Sequence, residues 1–454
     1  MKNIGKNVIE LILKCILIND LNALRQCSKY LSIIIGRIYF NKVCIYGYKL
    51  LDYNFRYFCW KYKPVLYIKN IYNIKQLIFS EFYTNLKSVE INCKIMFYYN
   101  IPNVYKLKLI CNGDKSKHSI IIPSTVKKLY IHGSYNKQIK IYNPTKVNER
   151  KLKVKYNNCL VLPSTLIKLV INTNELKIEK GFNQPIDELP ESLTDLDFSS
   201  NYVYDQPLKK YGLPLLLKKI CFGNLFNSSI KKNILPPTLV KIDFGSLFNK
   251  PLKQGILPQS LEKLIFGWHY NQEILQGVLP KSLIKLDLGH DFDHDLKDIL
   301  PTSLRKLTIS GCYSHSVNYL MLDSLEKLKF GMHYCERIYD LVLPPNLKTL
   351  ILSECFDEKI TGDFFPLGLT ELNFGFDFNR ELSEGLLPES LIKLTLGPFY
   401  DCPIRKYVLP SNLQIFKTYS NDIKRISLPK SIKKIKQCSY NKYGKLETNV
   451  INLF

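Results

Sequence analysis

Leu257-Pro258-Gln259-Ser260-Leu261-Glu262-Lys263-Leu264-Ile265-Phe266-Gly267-Trp268-His269-Tyr270-Asn271-Gln272-Glu273-Ile274 contains one full unit of this chain. Pro258 fixes its own φ and the Ser260 hydroxyl can bond locally to the backbone, so the unit opens with a turn. Leu261, Leu264 and Phe266 then point one way, with Lys263 and Ile265 between them. The alternation from Lys263 to Phe266 is that of a strand. Gly267 suits a sharp bend or a positive φ. An aromatic and a small polar residue follow, Tyr270-Asn271, and Ile274 closes the unit.

The phrase recurs along the chain. Its turn prolines are Pro190, Pro214, Pro236, Pro258, Pro280, Pro301, Pro344, Pro366, Pro388, Pro410 and Pro429, with Asp323 in the slot between Pro301 and Pro344. Most steps are 21 or 22 residues. Looser copies carry Pro102, Pro123 and Pro163. The apolar triplet returns as Leu239, Ile242 and Phe244, as Leu283, Leu286 and Leu288, and as Leu391, Leu394 and Leu396. The aromatic-polar pair returns as Phe226-Asn227, Phe248-Asn249, Phe292-Asp293, Phe356-Asp357, Phe378-Asn379 and Tyr400-Asp401.

A fixed period of this length marks a repeat architecture. One short strand and two turns cannot enclose a core, so each unit must bury its leucines against its neighbours. The predicted fold is a repeat solenoid, a parallel ladder of strands about 4.8 Å apart. The ring of the Phe-Asn pair fills the far side of each coil. Its amide bonds backbone groups left unpaired where the chain turns.

Strand alternation puts the residue before the second leucine outside. That column reads Lys219, Lys241, Lys263, Lys285, Lys306 and Lys327, with further copies at Lys128, Lys168 and Lys393. Like charges at such spacing repel by about 1 kcal/mol in water, relieved in part by Asp243, Glu262, Asp287 and Glu326. Two readings fit the ladder: a solvated face that discourages aggregation, or a target-binding face for an acidic partner.

Of the 454 residues, 46% are apolar and 23% charged, the balance of an ordered protein. A net charge of +25 raises the question of nucleic acid. Only nine of the 64 basic residues are Arg, however, and nucleic-acid surfaces favour its bidentate fork. Lys, Asn, Ile and Tyr are abundant together, as A/T-rich codons alone would produce. A nucleic-acid binder acting through the lysine ladder is therefore the weaker alternative to a protein-binding solenoid. The 13 cysteines are scattered from Cys15 to Cys438 with no Cys-x-x-Cys pair, which fits a reducing compartment; some, such as Cys221, fall on apolar positions of the unit. Glu10 and Lys14 break the first apolar run, so no signal peptide is expected, and no uncharged stretch has the length of a membrane span. The expected location is cytoplasmic.

The unit resembles the FNIP repeat family, relatives of leucine-rich repeats found in amoebae and the giant viruses that infect them. The motif stands here as Phe182-Asn183-Gln184-Pro185-Ile186 and Phe248-Asn249-Lys250-Pro251-Leu252. Variants are Tyr204-Asp205-Gln206-Pro207-Leu208 and Tyr400-Asp401-Cys402-Pro403-Ile404. The resemblance implies a curved, leucine-rich-repeat-like sheet over residues 120–440. Residues 46–119 read as degenerate coils, around Leu77-Ile78 and Leu107-Lys108-Leu109, and 441–454 carry no usable pattern.

Residues 1–45 differ in kind. Val8 to Ile18 is apolar, Asn19-Asp20 interrupts, and Leu21, Leu24, Cys27 and Leu31 recur at helical spacing. By physics alone this is a helical cap for the solenoid. The string Ile12-Leu13 … Leu17 … Asp20-Leu21 … Leu24 … Ser28-Lys29-Tyr30 also resembles an F-box, with Asn7-Val8 where the family has Leu-Pro. That resemblance implies docking on a Skp1-like adaptor of a ubiquitin ligase through Ile12, Leu13, Leu17, Leu21 and Leu24, while the solenoid takes an unknown target protein. If the N-terminal helices only cap the core, the chain is instead a plain scaffold.

His290-Asp291-Phe292-Asp293-His294-Asp295 is the one dense run of metal-ligand residue types. It falls on a coil turn, where Phe292-Asp293 is the unit's aromatic-polar pair, so no metal is expected; His269, His315 and His333 fall near the same turn in other copies. There is no phosphate-binding Gly-x-x-x-x-Gly-Lys loop and no Gly-x-Ser-x-Gly nucleophile turn. No catalytic residues and no cofactor are expected. Trp268 is a candidate binding anchor or a packing residue.

Overall fold

The computed structural model describes residues 43–46, 66–71, 86–92, 104–111, 120–135, 138–142, 159–172, 181–186, 188–201, 203–318, 322–334, 341–419, 426–440 and 446–452. The adaptor-docking positions Ile12, Leu13, Leu17, Leu21 and Leu24, and the pair Leu77-Ile78, lie outside these residues.

Among the described residues, the core is built on one 19-stranded sheet. All but the last of its strands pair in parallel with the strand of the next coil, from Val43–Tyr46 through Leu66–Ile71, Leu86–Asn92, Lys106–Cys111, Lys128–Gly133 and Lys168–Asn172. From Asp195–Asp197 to Lys393–Thr395 the strands are three residues long. Among these short strands the register repeats without slip: Lys241 stands beside Lys263, Ile242 beside Leu264 and Asp243 beside Ile265. This is the expected repeat solenoid. The early strands are longer because their alternation continues, as in Lys106–Cys111, where Leu107, Leu109 and Cys111 are buried in turn. In the later coils the glycine after the phenylalanine ends the strand.

The columns of the core follow the sequence unit. Leu261, Leu264, Phe266, Tyr270 and Ile274 are all buried, as are their counterparts in the coils on either side. Within a coil the strand phenylalanine stacks on the ring of the aromatic-polar pair: centroids are 4.1 Å apart for Phe244–Phe248 and 3.8 Å for Phe266–Tyr270. Between coils the rings continue the stack at about 6 Å, Phe226–Phe248 at 5.9 Å and Phe248–Tyr270 at 5.9 Å. Such ring pairs add roughly 0.5–1.5 kcal/mol each beyond simple burial.

Two polar ladders hold the turns. The carboxamide or carboxylate oxygen of each aromatic-polar pair accepts the backbone N–H of its counterpart one coil on. Asn227 takes Asn249 at 2.9 Å, Asn249 takes Asn271 at 3.0 Å, and Asn271 takes Asp293 at 3.0 Å. Only the acceptor oxygen is used, which explains why Asp replaces Asn freely. The serine of the opening turn behaves differently from the local bond expected. Ser260 Oγ donates to the Leu239 carbonyl at 2.6 Å, and Ser282 to Leu261 at 2.7 Å, so these hydroxyls tie coil to coil. The turn itself is closed by Leu261 N–H to the Pro258 carbonyl, 3.1 Å.

Two departures lie outside the regular stack. Ile120–Ile121, Cys159–Pro163 and Gln138–Tyr142 form a second, three-stranded parallel sheet. Leu446–Asn452, in a stretch whose sequence offered no pattern, pairs antiparallel with Lys434–Tyr440. This hairpin covers the backbone edge that the last parallel strand would otherwise expose.

Candidate functional site on the outer face of the sheet

Two side-chain columns leave the ladder on the solvent side, and a third follows at its turn. The first contains the sequence-predicted lysines. Lys219, Lys241, Lys263, Lys285, Lys306 and Lys327 stand in consecutive register, exposed or half-buried. The column is bounded by Asp195 before Lys219 and by Thr349 and Glu371 after Lys327. Its first two members are neutralised, Lys219 Nζ lying 3.7 Å from Asp195 and Lys241 Nζ 3.8 Å from Asp243, and beyond its far end Lys393 pairs with Glu371. Lys263, Lys285, Lys306 and Lys327 have no ion-pair partner among the described residues. Of the carboxylates expected to relieve them, Glu326 is taken by Arg305 at 3.3 Å instead.

The second column follows the buried leucine: Cys221, Asp243, Ile265, Asp287, Thr308, Lys329, Ile351, Asn373, Thr395 and Lys417. Cys221, expected on an apolar position, in fact faces outward and is half-buried, with Lys241 Nζ 3.5 Å from its sulfur. Burial, above the other influences on it, pushes the Cys221 thiol up to about 11. Burial likewise raises the Asp243 carboxyl, against the pull of Lys241.

Beside this column runs a groove of about 560 Å³. Trp268 and Tyr419 mark its ends, Lys329 and Lys417 enter from the second column, and Met332 and Phe376 form its apolar wall. Its floor is made by the glycines that end the strands. A Cβ on Gly397 would lie 1.9 Å from the Gly375 carbonyl oxygen, so backbone packs on backbone there. Gly289 is needed for a second reason, a φ of 80°. The lysine column does not line this groove; it runs alongside it. Trp268 is 50% exposed and stacks on the His290 imidazole with centroids 4.1 Å apart, so it serves both packing and exposure.

The third column lies at the turn after the glycine, where a single copy of the unit shows only an isolated histidine, aspartate or cysteine. The coils bring His269, Asp291, Cys312, His333, Cys355 and Asp377 into successive places. Asp291 accepts from His269 Nδ1 and from His290 Nδ1, both at 2.7 Å, and Cys312 Sγ is 3.5 Å from His290 Nδ1. Partial burial works against the Asp291 charge, but the two imidazoles together hold its carboxyl below the usual range. His294 does not join this group; its Nε2 lies 3.4 Å from the Asn271 carbonyl. His315 turns to Asp293, with Nε2 3.2 Å from the Asp293 carbonyl. Aligning the units on a 21- or 22-residue step would have shown the column.

No helix among the described residues is long and apolar enough to cross a membrane. The FNIP repeat model matches residues 204–247, 248–291, 270–312, 356–399 and 378–417. No curated protein matches the chain. Among solved structures, it is similar to the crystal structure of CroV588, described as a novel circular LRR protein, with a TM-score of 0.55 and 27% identity. That match covers 82% of this chain, and the chain spans 58% of CroV588. Residues 204–312 and 356–417 thus match FNIP repeats, and the described coils form a leucine-rich-repeat-like parallel β-solenoid.

Proposed function

We propose that this protein is an interaction scaffold that holds an acidic segment of another protein along the outer face of its sheet. The observation that carries this reading is the run Lys263, Lys285, Lys306 and Lys327, uncompensated beside a groove with half-exposed apolar side chains at Trp268 and Met332. Exposed aromatics next to charge are the usual anchors of protein interfaces. A rigid stack preorganises both columns, so little ordering is needed on the scaffold side. The full chain with a captured partner, cross-linked through amines and mapped by mass spectrometry, tests it. Cross-links should concentrate on these four lysines, and Lys285→Glu with Lys306→Glu should abolish capture while leaving the melting temperature within a few degrees. Cross-links confined to the opposite side of the coils would retire the reading.

The finer form of the proposal is a substrate-recognition subunit of a ubiquitin ligase. Its support is the N-terminal string around Ile12, Leu13, Leu17, Leu21 and Leu24 followed by the repeats. Such a subunit does no chemistry of its own and works by raising the target's effective concentration near the ligase. Purified Skp1 should bind the full chain, and Leu17→Asp with Leu21→Asp should abolish binding without changing the β-sheet signal in circular dichroism. Absence of Skp1 binding by the wild type removes the ligase role and leaves the scaffold.

A further inference from the structure

We propose that His290, Asp291 and Cys312 form a binding site for a divalent transition-metal ion, zinc by its ligand chemistry, in the wall of the groove. The three ligand atoms all lie within 4.8 Å of one another, one each of nitrogen, oxygen and sulfur. Imidazole, carboxylate and thiolate together suit zinc rather than magnesium or calcium, which take oxygen alone.

The spacing fits. A nitrogen about 2.0 Å and a sulfur about 2.3 Å from a tetrahedral zinc lie roughly 3.5 Å apart, and His290 Nδ1 is 3.5 Å from Cys312 Sγ. The His290 Nδ1 to Asp291 Oδ1 separation of 2.7 Å is a direct hydrogen bond, so it opens by about half an ångström when an ion enters between them. On metal entry the Nδ1 proton that Asp291 accepts is lost to solvent, the ring is held as the tautomer protonated on Nε2, and the Cys312 thiol proton also passes to solvent.

Neighbouring groups hold the ligands in place. The Trp268 ring lies parallel to the His290 ring, 6° apart in plane. Gly311 leaves the space the imidazole occupies, since a Cβ there would be 2.8 Å from His290 Cδ2. His269 bonds the second oxygen of Asp291 at 2.7 Å, the outer-shell contact that orients a metal-binding carboxylate. Three protein ligands leave the fourth tetrahedral position open. His290 lines the groove and Cys312 is exposed, so water or a partner's donor atom reaches that position. The site stands independently of the interaction reading above.

The test uses the full-length protein freed of metal, titrated with Zn²⁺ against a chromogenic chelator and with Co²⁺ by absorption. One equivalent should bind, with a cobalt–thiolate charge-transfer band in the near ultraviolet. Cys312→Ser and His290→Ala should each weaken Zn²⁺ binding at least tenfold and remove that band. His269→Ala should weaken it roughly 10–100-fold, and His294→Ala should leave it unchanged. Zn²⁺ should also protect Cys312 of the wild type from alkylation, read peptide by peptide, a measurement that needs no variant. No protection of Cys312, or affinity unchanged in both ligand variants, overturns the proposal.

Discussion

At the scale of single residues, burial sets properties that the sequence does not display. Tyr270 occupies a slot that is phenylalanine in the coils on either side, and its hydroxyl is buried with no hydrogen-bond partner among the described residues. Burial pushes its phenol up, away from ionisation. A buried, unsatisfied hydroxyl costs about 1–3 kcal/mol, so Tyr270→Phe should be neutral or raise stability by about 1 kcal/mol in urea melts. A loss above about 1 kcal/mol would mean the hydroxyl is bonded. Cys221 makes a second case. With its thiol at about 11, against a reference value of 9.0, the sulfur is protonated across the neutral range. Only the thiolate reacts, so alkylation at pH 8 should be roughly a hundredfold slower than at an unshifted thiol. The rate should climb tenfold per pH step until about 11, provided the fold persists. Peptide-resolved alkylation kinetics measure this, and a plateau already at pH 9 would contradict the buried thiol.

At the scale of the coil, the polar ladder through the aromatic-polar pairs is the feature that can be broken most cleanly. Asn249 Oδ1 accepts the Asn271 N–H at 3.0 Å and also the Gln272 side-chain amide at 3.0 Å. Asn249→Ala leaves a turn amide without its acceptor and should cost about 1–3 kcal/mol. Asn249→Asp keeps the acceptor oxygen and should cost less than half as much, as the native Asp205, Asp293 and Asp357 already suggest. Denaturant titration of both variants distinguishes the ladder from a simple packing role, in which Ala and Asp would be equally harmful. The rest of the coil was legible beforehand. Leu261, Leu264 and Phe266 show their alternation in sequence because burial imposes it on side-chain type. The partner of Ser260 was not legible: a hydroxyl satisfies a local carbonyl or one in the next coil equally well, and only coil spacing decides.

At the scale of the whole molecule, one property follows from stacking identical units: whatever a unit carries on its surface is repeated as a stripe. Lys263, Lys285, Lys306 and Lys327 are neighbours in an unbroken register, within a chain of net charge +25. Charges spaced by about one strand repel until salt screens them, over a Debye length of about 10 Å at 0.1 M. The midpoint of thermal unfolding should therefore rise by a few degrees between 20 mM and 0.5 M sodium chloride, and Lys285→Glu should reduce that rise. A midpoint that falls with salt would show that the ion pairs at Lys219, Lys241 and Lys393 outweigh the central repulsion.

Sequence alone determined the stack. Leucines and phenylalanines returning every 21 or 22 residues can be shielded from water only by their counterparts in adjacent units, and that requirement admits few other chain paths. Tertiary structure decided which surface residues meet. His269, Asp291 and Cys312 are separated by 22 and 21 positions along the chain, yet their side chains share one small cluster with His290. Aligning the units places these residues in one column, but residue type does not say which of their side chains touch. Their meeting depends on how each turn bends after its glycine and on the one-residue-shorter step between Lys285 and Lys306, quantities set by packing in three dimensions rather than by residue type.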